Sequence, residues 1–84
     1  MYKVNVKVLL KDDVLDPQGK TVQKALDHLG YNGIENVRIG KFIEFLSDKT
    51  DEKILQKQVK EMCKTVLTNP VVEKFEFSLE QVVS

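Results

Sequence analysis

The first ten residues alternate between apolar and polar side chains. Every even position from Tyr2 to Leu10 is apolar, and Lys3, Asn5 and Lys7 fill three of the gaps. A period of two places successive side chains on opposite faces of a β-strand. The pattern therefore predicts a strand with one buried face and one face in contact with water.

A helix start follows at Asp16-Pro17. Aspartate is a preferred N-cap residue, and proline suits the first helical position. Gly30 stands where a glycine commonly ends a helix. Between these two signals the apolar residues recur with helical spacing, and they are Val22, Ala25, Leu26 and Leu29. We expect a helix with one apolar face.

The stretch from Ile34 to Leu46 is typical of a strand, with Gly40 in its middle. Glycine inside a strand marks a bend or bulge, but Gly40-Lys41 is also a possible two-residue hairpin turn. The alternation continues across Gly40, which favours one long bent strand. The hairpin remains the alternative.

A second helix and a last strand complete the pattern. Asp51 and Glu52 place negative charge on a first helical turn, and Asn69-Pro70 marks the end of the helix. The apolar residues between them with helical spacing are Leu55, Val59, Met62 and Val66. From Val71 to Leu79 the chain is again strand-like, and residues 80–84 carry no clear signal.

The predicted order is β-α-β(β)-α-β, in a single domain over residues 1–84. We expect an α+β fold, a two-layer sandwich with both helices on one face of an antiparallel sheet. The other face is either solvated or covered by another subunit. Because a domain of 84 residues is marginally stable and its strands leave edges, self-association is expected.

The charge balance and the single cysteine narrow the function classes. Thirteen basic residues match thirteen acidic ones, which argues against nucleic acid or an anionic membrane as the main partner. Cys63 alone cannot form an intrachain disulfide, which suits a reducing, cytoplasmic setting. No apolar run reaches the roughly 18 residues of a membrane span.

No residues form a convincing catalytic or metal-binding group. Gly19-Lys20-Thr21 matches the end of a phosphate-binding P-loop, but the first glycine of that motif would fall on Val14. His28 lacks further metal ligands at a suitable spacing, and Cys63 lies among apolar residues as a packing cysteine does. These patterns favour a module that binds or scaffolds a partner.

Three segments resemble the PurS family, the small subunit of phosphoribosylformylglycinamidine (FGAM) synthase. They are "LDPQGKTVQKALDHLGY", "NVRIGKFIEF" and "LTNPVVEKFEF". The resemblance implies a non-catalytic subunit, dimeric or tetrameric, that bridges a glutaminase (PurQ) and a synthetase (PurL) in purine biosynthesis. It also implies that ATP and Mg are used by the synthetase and that this chain holds no cofactor.

The residues that match the family's motifs are the candidate partner-interface residues. They are Asp16, Pro17, Gln18, Gly19, Arg38, Gly40, Lys41, Asn69, Pro70 and Glu73. Arg38 and Lys41 place two cations around a glycine, where a partner carboxylate or backbone can approach. The competing interpretation is that both are ordinary solvated charges. If these residues contact a partner, we expect charge reversal at Arg38 and Lys41 to weaken the activity of the complex while the dimer stays folded.

A different class of function is a small-ligand-binding regulatory module at a dimer interface. Such sites usually have a glycine-rich loop between the first strand and the first helix. Here that loop, residues 11–19, is charged and has one glycine, so the match is poor.

Overall fold

A computed structural model describes residues 1–82 of the chain. Three strands form an antiparallel sheet in the order β2-β1-β3. Two α-helices and a short π-helix, here called the π-turn, connect them. The elements are β1 (Tyr2–Leu10), α1 (Pro17–His28), β2 (Gly40–Ser47), α2 (Glu52–Met62), the π-turn (Cys63–Leu67) and β3 (Glu73–Gln81). The predicted α+β class, antiparallel sheet and element order are confirmed.

The core lies between the central strand and α2. Val4, Val6 and Val8 of β1 are buried against Leu55 and Val59 of α2. Because β1 is paired on both sides, its apolar face is enclosed by neighbours as well as by the helix. The half-buried side chains around this centre come from all three strands and the π-turn, and they are Tyr2, Ile43, Phe45, Leu67, Phe75, Phe77 and Leu79.

The opposite face of the sheet carries charged cross-strand pairs. Lys3 on β1 lies 3.1 Å from Glu44 on β2, and Lys7 lies 3.5 Å from Glu76 on β3. Both pairs are exposed to solvent, so each contributes little stability. Their alternation with the buried valines explains the period of two over residues 2–8.

The first helix begins and ends as the sequence predicts. Asp16 is its N-cap, Pro17 lies in its first turn, and Gly30 follows its C-cap with a positive φ of 94°. That conformation favours glycine because it lacks a Cβ. Within the chain, however, α1 contacts the segment before β2, and α2 is the helix that covers the sheet.

The second strand is shorter than the sequence predicts. It is one strand, as the alternation indicated, but it begins at Gly40 and not at Ile34. Residues 34–39 form an irregular segment in which Asn36 has a positive φ of 56°. The backbone N–H groups of Val37 and Ile39 bond to side chains of α1 and its cap, in place of strand pairing with β1.

The prediction that Val66 belongs to the core stripe of α2 is wrong. Val66 is 80% exposed, and Leu67 packs against the core in its place. Buried positions follow every fourth residue, at Leu55, Val59, Cys63 and Leu67, and such steps drift by about 40° per turn in an α-helix. The π-turn widens the last turn, with Cys63 bonded five residues on to Thr68, and this reverses the drift.

The last strand starts and ends two residues later than predicted. It runs from Glu73 to Gln81, so Glu80 and Gln81 belong to it. At its end, the Val82 N–H donates to the carbonyl oxygen of Met1 at 2.9 Å. The rest of the uncertain tail, residues 83 and 84, lies outside the described part of the chain.

Candidate partner interface

The three sequence motifs meet at one end of the sheet. Leu9 pairs with Gly40 at the start of β2, and Leu10 pairs with Glu73 at the start of β3. The helix-start motif follows β1 directly at this same end. Residues more than fifty positions apart in the chain therefore form one surface. Some of their side chains make hydrogen bonds within the chain, and others are open to solvent.

Asp16 joins the start of α1 to the segment before β2. The residue is 4% exposed, and its carboxylate accepts the N–H of Gly19 at 2.9 Å and the N–H of Ile39 at 2.8 Å. These two N–H groups, with the Arg38 guanidinium nearby, hold the pKa of the Asp16 carboxyl below its usual value, although burial acts in the opposite direction. Asp16 therefore acts within the chain as a helix cap and a cross-link.

We expect Asp16→Asn to lower the melting temperature most at neutral pH. The lowered pKa means that the charged form stabilises the fold above pH 3.8, the ordinary value, and that this stability is lost as the pH falls through the folded-state pKa. Loss of a cap of this kind corresponds to roughly 4–8 °C in a domain of this size.

Thermal unfolding followed by circular dichroism from pH 7 to pH 2.5 measures this. The gap between the wild-type and variant curves should close at the acid end. Asp13→Asn removes an exposed carboxylate from the same loop and should change the midpoint at pH 7 by no more than about a degree. A gap that stays constant with pH would contradict a role for the ionised carboxylate.

Position 19 requires glycine because the backbone of another segment approaches it closely. A Cβ at this position would overlap the carbonyl oxygen of Val37. One turn further along, the Gln23 side chain accepts the N–H of Val37 at 3.3 Å. The first two turns of α1 are thus attached to residues 37–39.

Arg38 holds the loop between β1 and α1. Its Nη2 donates to the carbonyl oxygens of Lys11 at 2.7 Å, Val14 at 3.0 Å and Leu10 at 3.4 Å. This nitrogen carries two N–H groups in the plane of the guanidinium, so two of the three carbonyl oxygens share one of them. The structure therefore places Arg38 among carbonyl oxygens of its own chain, which the sequence did not reveal.

Asn69 and Glu73 close the turn that leads into β3. The Glu73 carboxylate accepts the Asn69 N–H at 2.6 Å, and the Asn69 side chain accepts the Val71 N–H at 3.2 Å. The Asn69 carbonyl accepts two more N–H groups, from Val72 and Glu73. Pro70 lies exposed within this turn, which is fixed by its own hydrogen bonds.

Outside these hydrogen-bonded loops, four further motif residues are open to solvent. We call Pro17, Gln18, Gly40 and Lys41 the motif surface. They line a shallow depression of about 340 Å³ together with Leu10, Asp16, Ile39 and Glu73. On the inner side of Gly40, an added Cβ would overlap the carbonyl oxygen of Val8. The depression is open to solvent.

The remaining candidate residues lie elsewhere. Gly19-Lys20-Thr21 falls within the first turns of α1, where Thr21 donates to the carbonyl of Pro17, so it is not a phosphate-binding loop. His28 is exposed in the last turn of α1, and Cys63 is buried, which raises the pKa of its thiol.

Within residues 1–82, no group of three or more potential metal ligands comes together. The helices in this range are also too short or too polar to cross a membrane.

Sequence reasoning missed the partners of the motif residues. Arg38 bonds to the carbonyl oxygens of Leu10, Lys11 and Val14, and Asp16 bonds to the N–H of Ile39. Backbone groups carry no residue-type signal, so the sequence does not show these bonds. The ion pair between Lys74 and Asp12, 2.7 Å long, also joins the start of β3 to the loop between β1 and α1.

Comparison with known proteins identifies the family. The sequence model described as PurS, phosphoribosylformylglycinamidine (FGAM) synthase, matches residues 3–81. The chain belongs to the PurS family. A relative from Bacillus subtilis, phosphoribosylformylglycinamidine synthase subunit PurS, is 49% identical over 84 residues, which is 100% of this chain and 99% of that protein. The expected role as an FGAM synthase subunit in purine biosynthesis is confirmed.

Solved PurS structures share the fold. PurS from Methanocaldococcus jannaschii, one of the subunits of formylglycinamide ribonucleotide amidotransferase, superposes with a TM-score of 0.87 at 38% identity, covering 99% of this chain and 100% of that chain. A chain in the structure of PurLQS from Thermotoga maritima gives a TM-score of 0.85 at 28% identity, covering 94% of this chain and 96% of that chain. The second of these places a PurS fold in an assembly.

Proposed function

We propose that this chain is the non-catalytic bridging subunit of FGAM synthase. It self-associates and joins a PurQ glutaminase to a PurL synthetase, so that ammonia released from glutamine reaches the synthetase without escaping to water. The likeness to a chain of PurLQS carries the proposal. The whole of residues 1–84 acts as one PurS-like module in the cytoplasm, and ATP and Mg are bound by the synthetase.

Within this proposal, the motif surface is where one of the enzymes binds. The residues behind it are fixed by hydrogen bonds of Asp16, Arg38 and Asn69, so little conformational entropy is lost when a partner docks. Lys41 is the cation on this surface, and no carboxylate of residues 1–82 forms an ion pair with it. A loop carrying an acidic side chain fits these features.

Reconstitution tests the bridging function. Matching synthetase and glutaminase are mixed with Mg-ATP, glutamine and formylglycinamide ribonucleotide, and amidine formation is assayed with and without this chain. We expect glutamine-dependent turnover only when the chain is present. Equal turnover in its absence, with no co-elution of the three proteins, would overturn the proposal.

Charge reversal at Lys41 tests the motif surface separately. Lys41→Glu should raise the concentration of chain needed for half-maximal turnover by about tenfold, since tenfold corresponds to roughly one charge contact of 1.4 kcal/mol. Lys49→Glu, two residues beyond the opposite end of β2, is the matched control and should leave turnover unchanged. If the two variants behave alike, or if Lys41→Glu dissociates the self-associated state, the motif surface is not an enzyme contact.

A further inference from the structure

The second helix carries a row of lysines on its solvent side. Lys53, Lys57, Lys60 and Lys64 recur at alternating steps of four and three residues through α2 and into the π-turn. At about 100° per residue, such steps return to the same side of a helix. All four residues are exposed. We call them the lysine row.

The lysine row lies away from the core. The buried residues of α2 and the π-turn are Leu55, Val59 and Cys63. The lysines are centred about 130° around the helix axis from these residues. The row therefore lies on the outer surface of the helix layer and not against the sheet. From Lys53 to Lys64 it is about 17 Å long, at a rise of about 1.5 Å per residue.

The charges of the lysine row are not balanced by nearby carboxylates. Within residues 1–82 the lysines that form ion pairs are Lys3, Lys7 and Lys74, so no member of the row does. The carboxylates of the same helix, Glu52 and Glu61, lie to either side of the row. Since the chain as a whole has no net charge, the row is a local concentration of positive charge.

Among anionic partners, an acidic protein surface fits the lysine row best. A helix that lies on a membrane inserts its apolar face into the lipid, but the apolar face of α2 is buried against the valines of β1. A surface for single-stranded nucleic acid places aromatic rings beside its cations, and α2 contains no aromatic residue. Acidic side chains on a protein require neither feature.

We propose that the lysine row docks onto an acidic surface of one of the two enzymes, while the motif surface binds the other. The inference rests on the proposed function, because a subunit that bridges two enzymes needs two separate contacts. The depression at the motif surface is lined by no residue of α2, so the two contacts use different side chains. Exposed lysines of this kind accelerate the encounter with an acidic partner, and salt weakens that effect.

Charge reversal in the middle of the row tests the docking in the reconstituted assay. Lys57→Glu/Lys60→Glu should raise the concentration of chain needed for half-maximal turnover by at least about tenfold at 0.01 M salt, where the Debye length is about 30 Å. At about 0.1 M salt the Debye length falls to about 10 Å, and the difference from wild type should become smaller. Circular dichroism checks that the variant is folded.

The matched control is Lys20→Glu/Lys24→Glu. It makes the same change in net charge on exposed residues of α1 that do not line the motif surface, and it should shift the half-maximal concentration by no more than about twofold. Equal effects of the two double variants, or an effect that salt does not change, would overturn the docking role. Normal turnover of the row variant together with loss of single-stranded RNA binding would assign the row to nucleic acid instead. If the wild-type chain itself supports no turnover, the bridging function fails as well.

Photo-cross-linking identifies the protein that contacts the row. The photoreactive residue p-benzoylphenylalanine is placed at position 57 in one preparation and at position 41 in another, and each mixture with the two enzymes is irradiated during turnover. We expect position 57 to link to one enzyme, within a segment rich in aspartate and glutamate, and position 41 to link to the other. Links from both positions to the same enzyme, links from position 57 to another copy of this chain, or no link from position 57 in an active mixture would each overturn the proposal.

Discussion

Arg38→Met is expected to lower the free energy of unfolding by about 2–3 kcal/mol, because three carbonyl oxygens lose a charged donor. Methionine keeps much of the length and the apolar contacts of the side chain, so the loss reports the hydrogen bonds. Urea unfolding at one fixed protomer concentration measures it, since self-association makes the midpoint depend on concentration.

Lys41→Met is the control for this experiment. It removes an exposed cation three residues away, and we expect a change within about 0.5 kcal/mol. Equal stability of the two variants would show that the carbonyl contacts contribute nothing. Arg38 would then be free for a partner, as the sequence suggested.

Gly19→Ala is expected to destabilise the fold by about 1–3 kcal/mol, the usual effect of overpacking. In the interior of an ordinary helix, replacing glycine by alanine has the opposite effect and stabilises the helix by up to about 1 kcal/mol. The reversal arises because the new methyl group would overlap the Val37 carbonyl oxygen, which belongs to the backbone and cannot rotate away.

The urea midpoint of Gly19→Ala, compared with that of Gln18→Ala, provides the test. Gln18 lies exposed in the same helical turn, so its replacement should be neutral or slightly stabilising. If Gly19→Ala also stabilises the protein, then Val37 does not approach the helix as closely as described.

Local patterns predicted the elements whose causes are local. The period of two over β1 and the Asp16-Pro17 start of α1 each depend on neighbouring residues, and both were found where expected. The strand before Gly40 was over-predicted because the N–H groups of Val37 and Ile39 bond to α1 and its cap, and those contacts have no signature in the segment itself. Val66 was misplaced because a π-turn changes the helical period without any distinctive residue type.

The roles of the motif residues also depend on contacts that the sequence does not show. Their sequence spacing indicated the family but could not separate the side chains that shape loops from those that remain open. The structure assigns Asp16, Arg38 and Asn69 to intrachain hydrogen bonds. It leaves Gln18 and Lys41 exposed. Variants at the first group are expected to affect stability, and variants at the second to affect assembly.

The hydrogen bond between Met1 and Val82 gives the molecule a convenient place for a reporter. Both residues lie at the end of the sheet remote from Lys41, about 23 Å away along the strands. A fluorophore attached near either residue would stay clear of the motif surface. Energy transfer from it to a dye on a docked enzyme would then report the orientation of the assembly without disturbing the contact.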